Sequence, residues 1–234
     1  MYKFFKRLFD VILSLLGIVI TSPIWIITIL GILINDFGPV FYVSKRIGKN
    51  DKEFKMFKFR SMRIVKNKNS DESSLRPDSE RIFFFGKIIR KLKIDELPQL
   101  LNILNGTMSI VGPRPVAKDQ LALFRTGIYD NAKLVRPGLT GPAALYDYLY
   151  GDKFEDTDIE KYMKCVYPTR RELELVYVQK MNFFFDLWMI FETVICIFCA
   201  LFHLKHDKFL NKLIKMACLN DNCDVKEIIV EEKQ

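Results

Sequence analysis

Residues 11–34 read VILSLLGIVITSPIWIITILGILI and contain no charged side chain. At ~1.5 Å per residue, an α-helix of this length measures ~36 Å, which exceeds the ~30 Å hydrocarbon core of a bilayer. Lys3, Lys6 and Arg7 precede the segment, so the positive-inside rule places its first end in the cytoplasm. A cleaved signal peptide has a shorter apolar stretch and a small-residue exit. The segment therefore predicts a membrane anchor.

The Ser22-Pro23 pair near the centre of this segment leaves two topologies open. A proline removes one backbone donor, and transmembrane helices tolerate the resulting kink when neighbours compensate for it. The alternative is a break that turns the chain back, so that both ends emerge on one face. These residues alone favour the kinked span. Basic residues also follow the anchor, however, and placing both flanks in the cytoplasm is incompatible with a single span.

Composition narrows the class of protein. The chain has 234 residues, of which 50% are hydrophobic, and this excludes a disordered chain. Lys and Arg number 36 against 28 Asp and Glu, a net charge of +8 that predicts negatively charged partners such as phosphates, anionic lipid or nucleic acid. Five cysteines, all after residue 164, and two histidines leave little material for a disulfide framework, a zinc site or a His-dependent triad.

A basic β-hairpin is predicted after the anchor. Val40–Val43 and Phe54–Phe59 have the composition of short strands, and Gly48–Asp51 has the composition of a turn. Lys55 and Lys58 lie on the second strand. These cations could bind anionic headgroups or hold a substrate phosphate, and the sequence leaves both options open.

An acidic pair lies between two predicted helices. Arg81–Leu92 has apolar residues at helical spacing, and a second helix is ended by Gly106. Asp95 occupies the position of an N-cap, with Pro98 in the first turn. In the simpler interpretation, Asp95 caps the helix and Glu96 only occupies its first turn. The alternative is a binding or catalytic role at a helix N-terminus, where anions are favoured.

Arginines on rigid turns favour the second interpretation. Arg90 lies upstream of the acidic pair, and Arg114 lies between two prolines downstream. A further turn is formed by Arg136-Pro137-Gly138. Paired carboxylates among arginines next to a membrane are typical of phosphate chemistry with a divalent ion.

Several ordered motifs resemble those of the bacterial sugar transferases, the monotopic phosphoglycosyl transferases that act on polyprenyl phosphate. The resemblance covers residues 3–200. The matching segments, in order, are Lys6-Arg7-x-x-Asp10, Ser22-Pro23, Phe57-Lys58-Phe59-Arg60-Ser61-Met62, Ile94-Asp95-Glu96-Leu97-Pro98-Gln99-Leu100, Asn102–Gly106, Met108-Ser109-x-Val111-Gly112-Pro113-Arg114-Pro115 and Val135-Arg136-Pro137-Gly138-Leu139-Thr140-Gly141. Together they identify the chain as a member of that family.

The resemblance implies transfer of a sugar-1-phosphate from a nucleotide diphosphate sugar, usually a UDP-sugar, to undecaprenyl phosphate. By the match, Asp95 is the nucleophile that forms an aspartyl phosphosugar, and Glu96 helps to hold Mg²⁺ beside it. The basic positions expected to bind phosphate are Arg60, Arg90 and Arg114. The turn expected to contact the nucleotide sugar consists of Arg136, Pro137 and Gly138. Such an enzyme would start the assembly of a surface glycan.

The resemblance also implies a fold and a location. We expect an α+β, mainly helical domain with a re-entrant helix broken at Ser22 and Pro23, a small β-hairpin and interfacial amphipathic helices. The predicted regions are a membrane helix over 1–36, a catalytic domain over 37–204 on the cytoplasmic face of the inner membrane, and a polar tail over 205–234. Within the second region, Asn182–Leu204 is a spanning or an interfacial helix, and two acids in it favour the interfacial form.

One departure from the family pattern and one competing function remain. Many members follow the Arg-Pro-Gly turn with Trp-Ala-Gln-Val, whereas this chain has Pro142–Leu145 and then the aromatic run Tyr146–Tyr150. We expect this loop to shape the donor pocket, so the sugar is not assigned. The competing function is a membrane-anchored basic module that binds lipid or nucleic acid without catalysis. No nucleic-acid-binding motif supports this competing function. Separately, the apolar surface leads us to expect that a homodimer can form.

Overall fold

The computed structural model describes residues 2–64, 81–150, 162–164, 166–202, 204 and 206–218. Helices and two small sheets make up this part of the chain. In order, the elements are α1 (Tyr2–Asn35), β1 (Phe41–Ile47), β2 (Glu53–Phe59), α2 (Phe84–Lys91), α3 (Gln99–Leu104), β3 (Ser109–Val111), α4 (Leu121–Phe124), β4 (Gly138–Thr140), α5 (Pro142–Leu149), α6 (Tyr167–Lys180), α7 (Phe183–Leu201) and α8 (Asp207–Cys218).

The anchor is one helix of 34 residues, with Pro23 inside it. The predicted break at Ser22-Pro23 is therefore not an interruption of helical structure. Pro23 has no amide proton to donate to the Val19 carbonyl, which would be its partner in a regular helix. The Ser22 hydroxyl donates to that carbonyl instead, at 2.8 Å. This local replacement explains why the helix continues through the proline.

The first end of α1 is fastened to the rest of the domain by polar contacts. The Arg7 guanidinium donates to the carbonyls of Ile103 and Leu104 at 2.6 and 2.8 Å, and so satisfies the C-terminal end of α3. The buried Asp10 carboxylate accepts bonds from the Ser109 hydroxyl and the Ile110 amide. A helix end with these partners is part of the domain rather than a tether to it.

The second end of α1 contacts the same domain. Ile32 is fully buried and packs with Phe59 of β2, with Ile89 of α2 and with Phe83 just before α2. Arg60, directly after β2, forms an ion pair with Asp36 just beyond the helix. Both ends of the anchor therefore lie against one body.

The predicted hairpin is confirmed. β1 and β2 pair antiparallel, in register from Phe41 opposite Phe59 to Ile47 opposite Glu53. The fully buried Asn102 ties α3 to this hairpin, because its side chain accepts from the Phe57 amide at 2.9 Å and donates to the Lys55 carbonyl at 2.7 Å. The second sheet pairs β3 with β4 in parallel.

The predicted polar tail contributes to the core. Its first part forms α8, whose Phe209, Leu213 and Ala217 are buried in the main hydrophobic cluster with residues of α5, α6 and α7. The core of the domain therefore extends beyond residue 205. Residues 219–234 of the predicted tail lie outside the described part of the chain.

Two of the described helices, α1 and α7, are long and apolar enough to cross a membrane by length and composition. The acids of α7 both have protein partners. Asp186 binds the side chains of Tyr2 and Lys6, and Glu192 accepts from the indole of Trp188 at 2.9 Å. The acids therefore do not oppose burial of the remaining apolar face in a membrane, and the spanning and interfacial alternatives both stand.

Candidate active site

The acidic pair lies in a short 3-10 turn, Ile94–Glu96, between α2 and α3. The prediction that Asp95 caps a helix is wrong, because Pro98 occupies the N-cap of α3 and no side chain caps that end. The reason is local: Lys93 has a left-handed backbone with φ of 56°, and this reverses the chain just before the pair. The Asp95 side chain therefore does not cap α3.

Asp95 is 5% exposed, and its Oδ1 atom is buried with no hydrogen-bond partner among the described residues. Burial raises the pKa of this carboxyl, and the neighbouring charge of Glu96 raises it further, while Lys58 acts in the opposite direction. Leaving a buried carboxylate oxygen unpartnered is costly for a fold. An oxygen held in this way is suited to accept a bond from a ligand or to attack one.

Glu96 is held differently. Its Oε1 lies 3.0 Å from the Lys58 ammonium, and both side chains are largely buried. Burial works against the Glu96 charge, but Lys58, Lys93 and Arg114 outweigh it and lower the pKa of Glu96 well below its ordinary value. The negative charge of the pair therefore resides on Glu96, and Asp95 needs a further positive charge beside it to ionise readily.

Two of the predicted arginines influence this pair. The charge of Arg90 lowers the pKa of Asp95, although burial prevails there. Burial opposes the Arg114 charge, but Asp147 and Glu96 outweigh it and raise the pKa of Arg114. The Arg114 side chain stays 30% exposed, so it can meet a ligand from solution. The structure thus brings Arg90 and Arg114 to the two acids.

Arg60 has a different environment from the one predicted for a phosphate ligand. The residue is 3% exposed. Its guanidinium donates to the Asp36 carboxylate, to the Asp36 carbonyl and to the Pro39 carbonyl. All three nitrogens are engaged in closing the end of α1 onto β2. The structure therefore gives Arg60 a structural role, because Asp36 neutralises its charge.

The Arg136-Pro137-Gly138 turn is also used by the fold. Arg136 Nε donates to the Gly106 carbonyl at 2.9 Å, beyond the C-terminal end of α3 and opposite the end that carries Asp95. The Pro137 carbonyl accepts from the Ser109 amide at 2.9 Å. A Cβ on Gly138 would lie 2.1 Å from the Gly112 amide nitrogen, so glycine is required for the close approach of β3 and β4. Nucleotide binding by this turn stays a prediction.

The sequence profile of the bacterial sugar transferase family matches residues 1–200 of this chain. The chain belongs to that family. It is 33% identical over 196 residues to the UDP-N-acetylgalactosamine-undecaprenyl-phosphate N-acetylgalactosaminephosphotransferase of Aeromonas hydrophila, covering 82% of this chain and 43% of that protein. It is 35% identical over 207 residues to the exopolysaccharide production protein ExoY of Rhizobium meliloti, covering 81% and 83%.

A third relative of this chain is the UDP-glucose:undecaprenyl-phosphate glucose-1-phosphate transferase of Klebsiella pneumoniae. It is 36% identical over 192 residues, which cover 81% of this chain and 39% of that protein. The chain thus spans less than half the length of the Aeromonas and Klebsiella relatives and most of the Rhizobium one.

The sequence did not reveal several residues that surround the two acids in this chain. Asp147 lies 3.7 Å from Arg114 Nε and 3.8 Å from Arg170 Nη1. The Lys93 ammonium lies 4.7 Å from the centre of the Tyr148 ring. Asp147 and Tyr148 belong to the aromatic run that departs from the family pattern, and that departure was the only signal for them. Arg170 has no local signal, because α6 reaches the site only through the tertiary fold.

The donors present fit a Mg²⁺ ion. The described residues contain no group of three or more His, Cys, Asp or Glu side chains placed to hold a metal. Magnesium, however, is commonly held by one or two carboxylates together with water and substrate phosphates. Asp95 offers a buried oxygen without a partner, and Glu96 adjoins it. Hard carboxylate oxygens with a free coordination position suit that ion.

Proposed function

We propose that this protein transfers a sugar-1-phosphate from a UDP-sugar to undecaprenyl phosphate through covalent attachment to Asp95. The observation that carries this proposal is the buried, unpartnered Asp95 oxygen beside the charged Glu96, in a chain of the bacterial sugar transferase family. The named relatives from Aeromonas and Klebsiella act on undecaprenyl phosphate with UDP-sugars. A polyprenyl diphosphate sugar is a starting unit for a surface glycan.

The first half-reaction joins the enzyme to the sugar phosphate. An Asp95 oxygen attacks the phosphorus next to the sugar, an Asp95–O–P bond forms, and the bridging P–O bond of the diphosphate breaks to release UMP. In the second half-reaction, an oxygen of undecaprenyl phosphate attacks the same phosphorus. The Asp95–O–P bond then breaks, and the free carboxylate returns. The charges balance without a net proton transfer when Asp95 attacks as the carboxylate, the form that Lys58 and Arg90 favour.

The chief obstacle is repulsion between a carboxylate and a diphosphate, and the positive side chains around Asp95 reduce it. Lys58 neutralises Glu96, while Arg90 and Arg114 favour the charged forms of the two acids. Asp95 and Glu96 would hold Mg²⁺, which neutralises phosphate charge when bound. Burial of Asp95 keeps water away from the acyl phosphate that forms there.

For the membrane arrangement, we propose that α1 enters and leaves the bilayer on one face, and that this face is the cytoplasmic side of the inner membrane. Arg7 at one end and Asp36 beyond the other bind the same domain. A straight span would separate these ends by the thickness of a bilayer. The basic residues on both sides of α1 agree with this arrangement. It gives Asp95 access to a lipid phosphate and to a soluble nucleotide.

The test is intact-protein mass spectrometry after incubation with a panel of UDP-sugars, Mg²⁺ and no acceptor. We expect a mass increase equal to one sugar phosphate, located on Asp95 by peptide mapping and lost when undecaprenyl phosphate is added. Asp95→Asn should show no adduct, whereas Asp130→Asn, at an exposed acid away from the site, should show it. Product formation by a wild-type protein that never carries an adduct would replace this scheme with direct transfer.

A further inference from the structure

Asp147 on α5 connects the candidate active site to α6. One carboxylate oxygen accepts a hydrogen bond from the Tyr162 hydroxyl at 3.0 Å. The other lies 3.7 Å from Arg114 Nε and 3.8 Å from Arg170 Nη1. One carboxylate is therefore shared by two guanidinium groups. Arg170 has a second carboxylate partner, because its Nε lies 3.9 Å from Glu174 Oε1, whereas Asp147 is the carboxylate that pairs with Arg114 among the described residues.

The α6 side of this arrangement is rigid. Arg170 Nη1 also donates to the Tyr162 hydroxyl at 2.9 Å, and the guanidinium carbon lies 4.4 Å from the centre of the Phe124 ring. The Arg170 side chain is only 8% exposed. Arg170 and Tyr162 thus hold Asp147 from the interior, and neither is placed to reach a ligand in solution.

The Arg114 side is open. Its side chain is 30% exposed, and it lies on a turn fixed by Pro113, whose carbonyl accepts from the Gly138 amide at 2.8 Å. The turn fixes the backbone, but it does not fix a long guanidinium side chain. Among the described residues, Asp147 is the carboxylate within ion-pair distance of Arg114. The orientation of Arg114 therefore depends on Asp147.

We infer that Asp147 is a positioning residue: it holds the Arg114 guanidinium beside Glu96, where that group binds the diphosphate of the nucleotide sugar. This inference rests on the proposed function. Asp147 lies in the aromatic run that follows the departure from the family pattern, and through it this chain orients Arg114 by an ion network between α5 and α6. Arg114, with a 30% exposed side chain, is the guanidinium of this network that a ligand can reach.

The test is a double-mutant cycle with Asp147→Asn, Arg114→Met and the double variant. Steady-state UMP release is measured, which does not require the adduct to accumulate. We expect Asp147→Asn to lower kcat/KM for the UDP-sugar about tenfold in the parent, and less than about twofold in the Arg114→Met background. Glu53→Gln is the control, because it removes one charge from the exposed pair with Lys45 and should leave kcat/KM unchanged.

An equal loss from Asp147→Asn in both backgrounds, or no loss in either, would overturn the inference. If thermal unfolding shows that Asp147→Asn does not fold, Tyr162→Phe replaces it in the cycle, because Tyr162→Phe removes one hydrogen bond to the Asp147 carboxylate. We then expect a smaller loss of kcat/KM, confined to the parent background. Binding of UDP to the same proteins separates this inference from the proposed function. Absence of UMP release by the wild-type protein would contradict the proposed transferase activity. In that case, the coupling between Asp147 and Arg114 in UDP affinity would still test the positioning role of Asp147.

Discussion

Two buried acids differ in their hydrogen bonds. Asp186 binds the first end of the anchor helix, and Asp95 lies in the candidate active site; both are buried to a similar extent. Asp186 accepts from the hydroxyls of Tyr2 and Tyr177 and from the Lys6 ammonium, at 2.7 to 2.9 Å. Among the described residues, Asp95 Oδ1 has no hydrogen-bond partner, and Glu174 Oε1 behind the site has no hydrogen bond and only an ion pair with Arg170 at 3.9 Å. A satisfied buried acid stabilises a fold, whereas an unsatisfied one lowers stability and is available for chemistry.

The largest effect should come from Asp95→Asn. Loss of the nucleophile should reduce UMP release at least about 10³-fold. Because the amide removes a charge that the native site disfavours, the thermal unfolding temperature should stay equal or rise, and the protein should remain in the membrane fraction. Turnover near the wild-type rate would contradict the nucleophile assignment, and a fall in unfolding temperature would contradict the contrast with Asp186.

Asp186→Ala should show the opposite pattern. It leaves the Lys6 ammonium and the Tyr2 hydroxyl without their acceptor, and Tyr177 keeps only the Val111 carbonyl, so the free energy of unfolding should fall by about 3 kcal/mol. Turnover per folded molecule, measured well below the unfolding temperature, should change little. The matched control is Asp130→Ala, which breaks an exposed pair with Lys133 and should cost less than about 1 kcal/mol. An equal loss of unfolding free energy in the two variants would contradict the role of Asp186 in stabilising the packing of α1.

Glu174 should reveal the cost of an unsatisfied acid through pH. Burial raises the pKa of this carboxyl to about 7, while Arg170 acts against the shift. The folded state therefore prefers the protonated form, so stability is greatest below the unfolded-state pKa and is lost as pH rises through the folded one. Glu174→Gln should raise the free energy of unfolding by about 2 kcal/mol at pH 8 and by little at pH 4. Melting curves at both pH values check this.

The smallest effect should come from Ser22→Ala. This variant removes the donor that serves the Val19 carbonyl next to Pro23, and hydrogen bonds in apolar helices contribute about 0.6 kcal/mol. Pro23→Ala in the same background supplies an amide donor for that carbonyl and should restore the loss. Unfolding in detergent measures both variants. No recovery in the double variant would mean that Ser22 does not compensate for the proline.

Local patterns were sufficient for much of this molecule. Hydrophobic periodicity and turn residues predicted the hairpin and α2, and the motif around Asp95 predicted the acidic pair that the structure buries. The capping role of Asp95 failed because the left-handed backbone of Lys93 inserts a 3-10 turn that no apolar pattern reveals. Periodicity reports on residues one turn apart, and here the deciding feature was a single backbone dihedral.

Partners distant in sequence were beyond such patterns. Arg60 matches a family position, yet its environment is set by Asp36, which the packing of the second end of α1 against β2 brings to it. Asp147 and Arg170 meet only when α5 packs on α6. Charges that pair over such separations depend on the tertiary fold, so the sequence indicated which residues are basic and acidic but not which of them neutralise one another.

The contacts at both ends of α1 determine how the protein can be expressed and purified. Cutting the chain after residue 36 would strip Asp186 of its Lys6 partner and uncover the pocket that Ile32 fills. The amino-terminal helix is thus part of the folded domain rather than a removable tag. Attempts to obtain a water-soluble truncated form should yield aggregates, and detergent or nanodisc preparations need the intact amino-terminal helix.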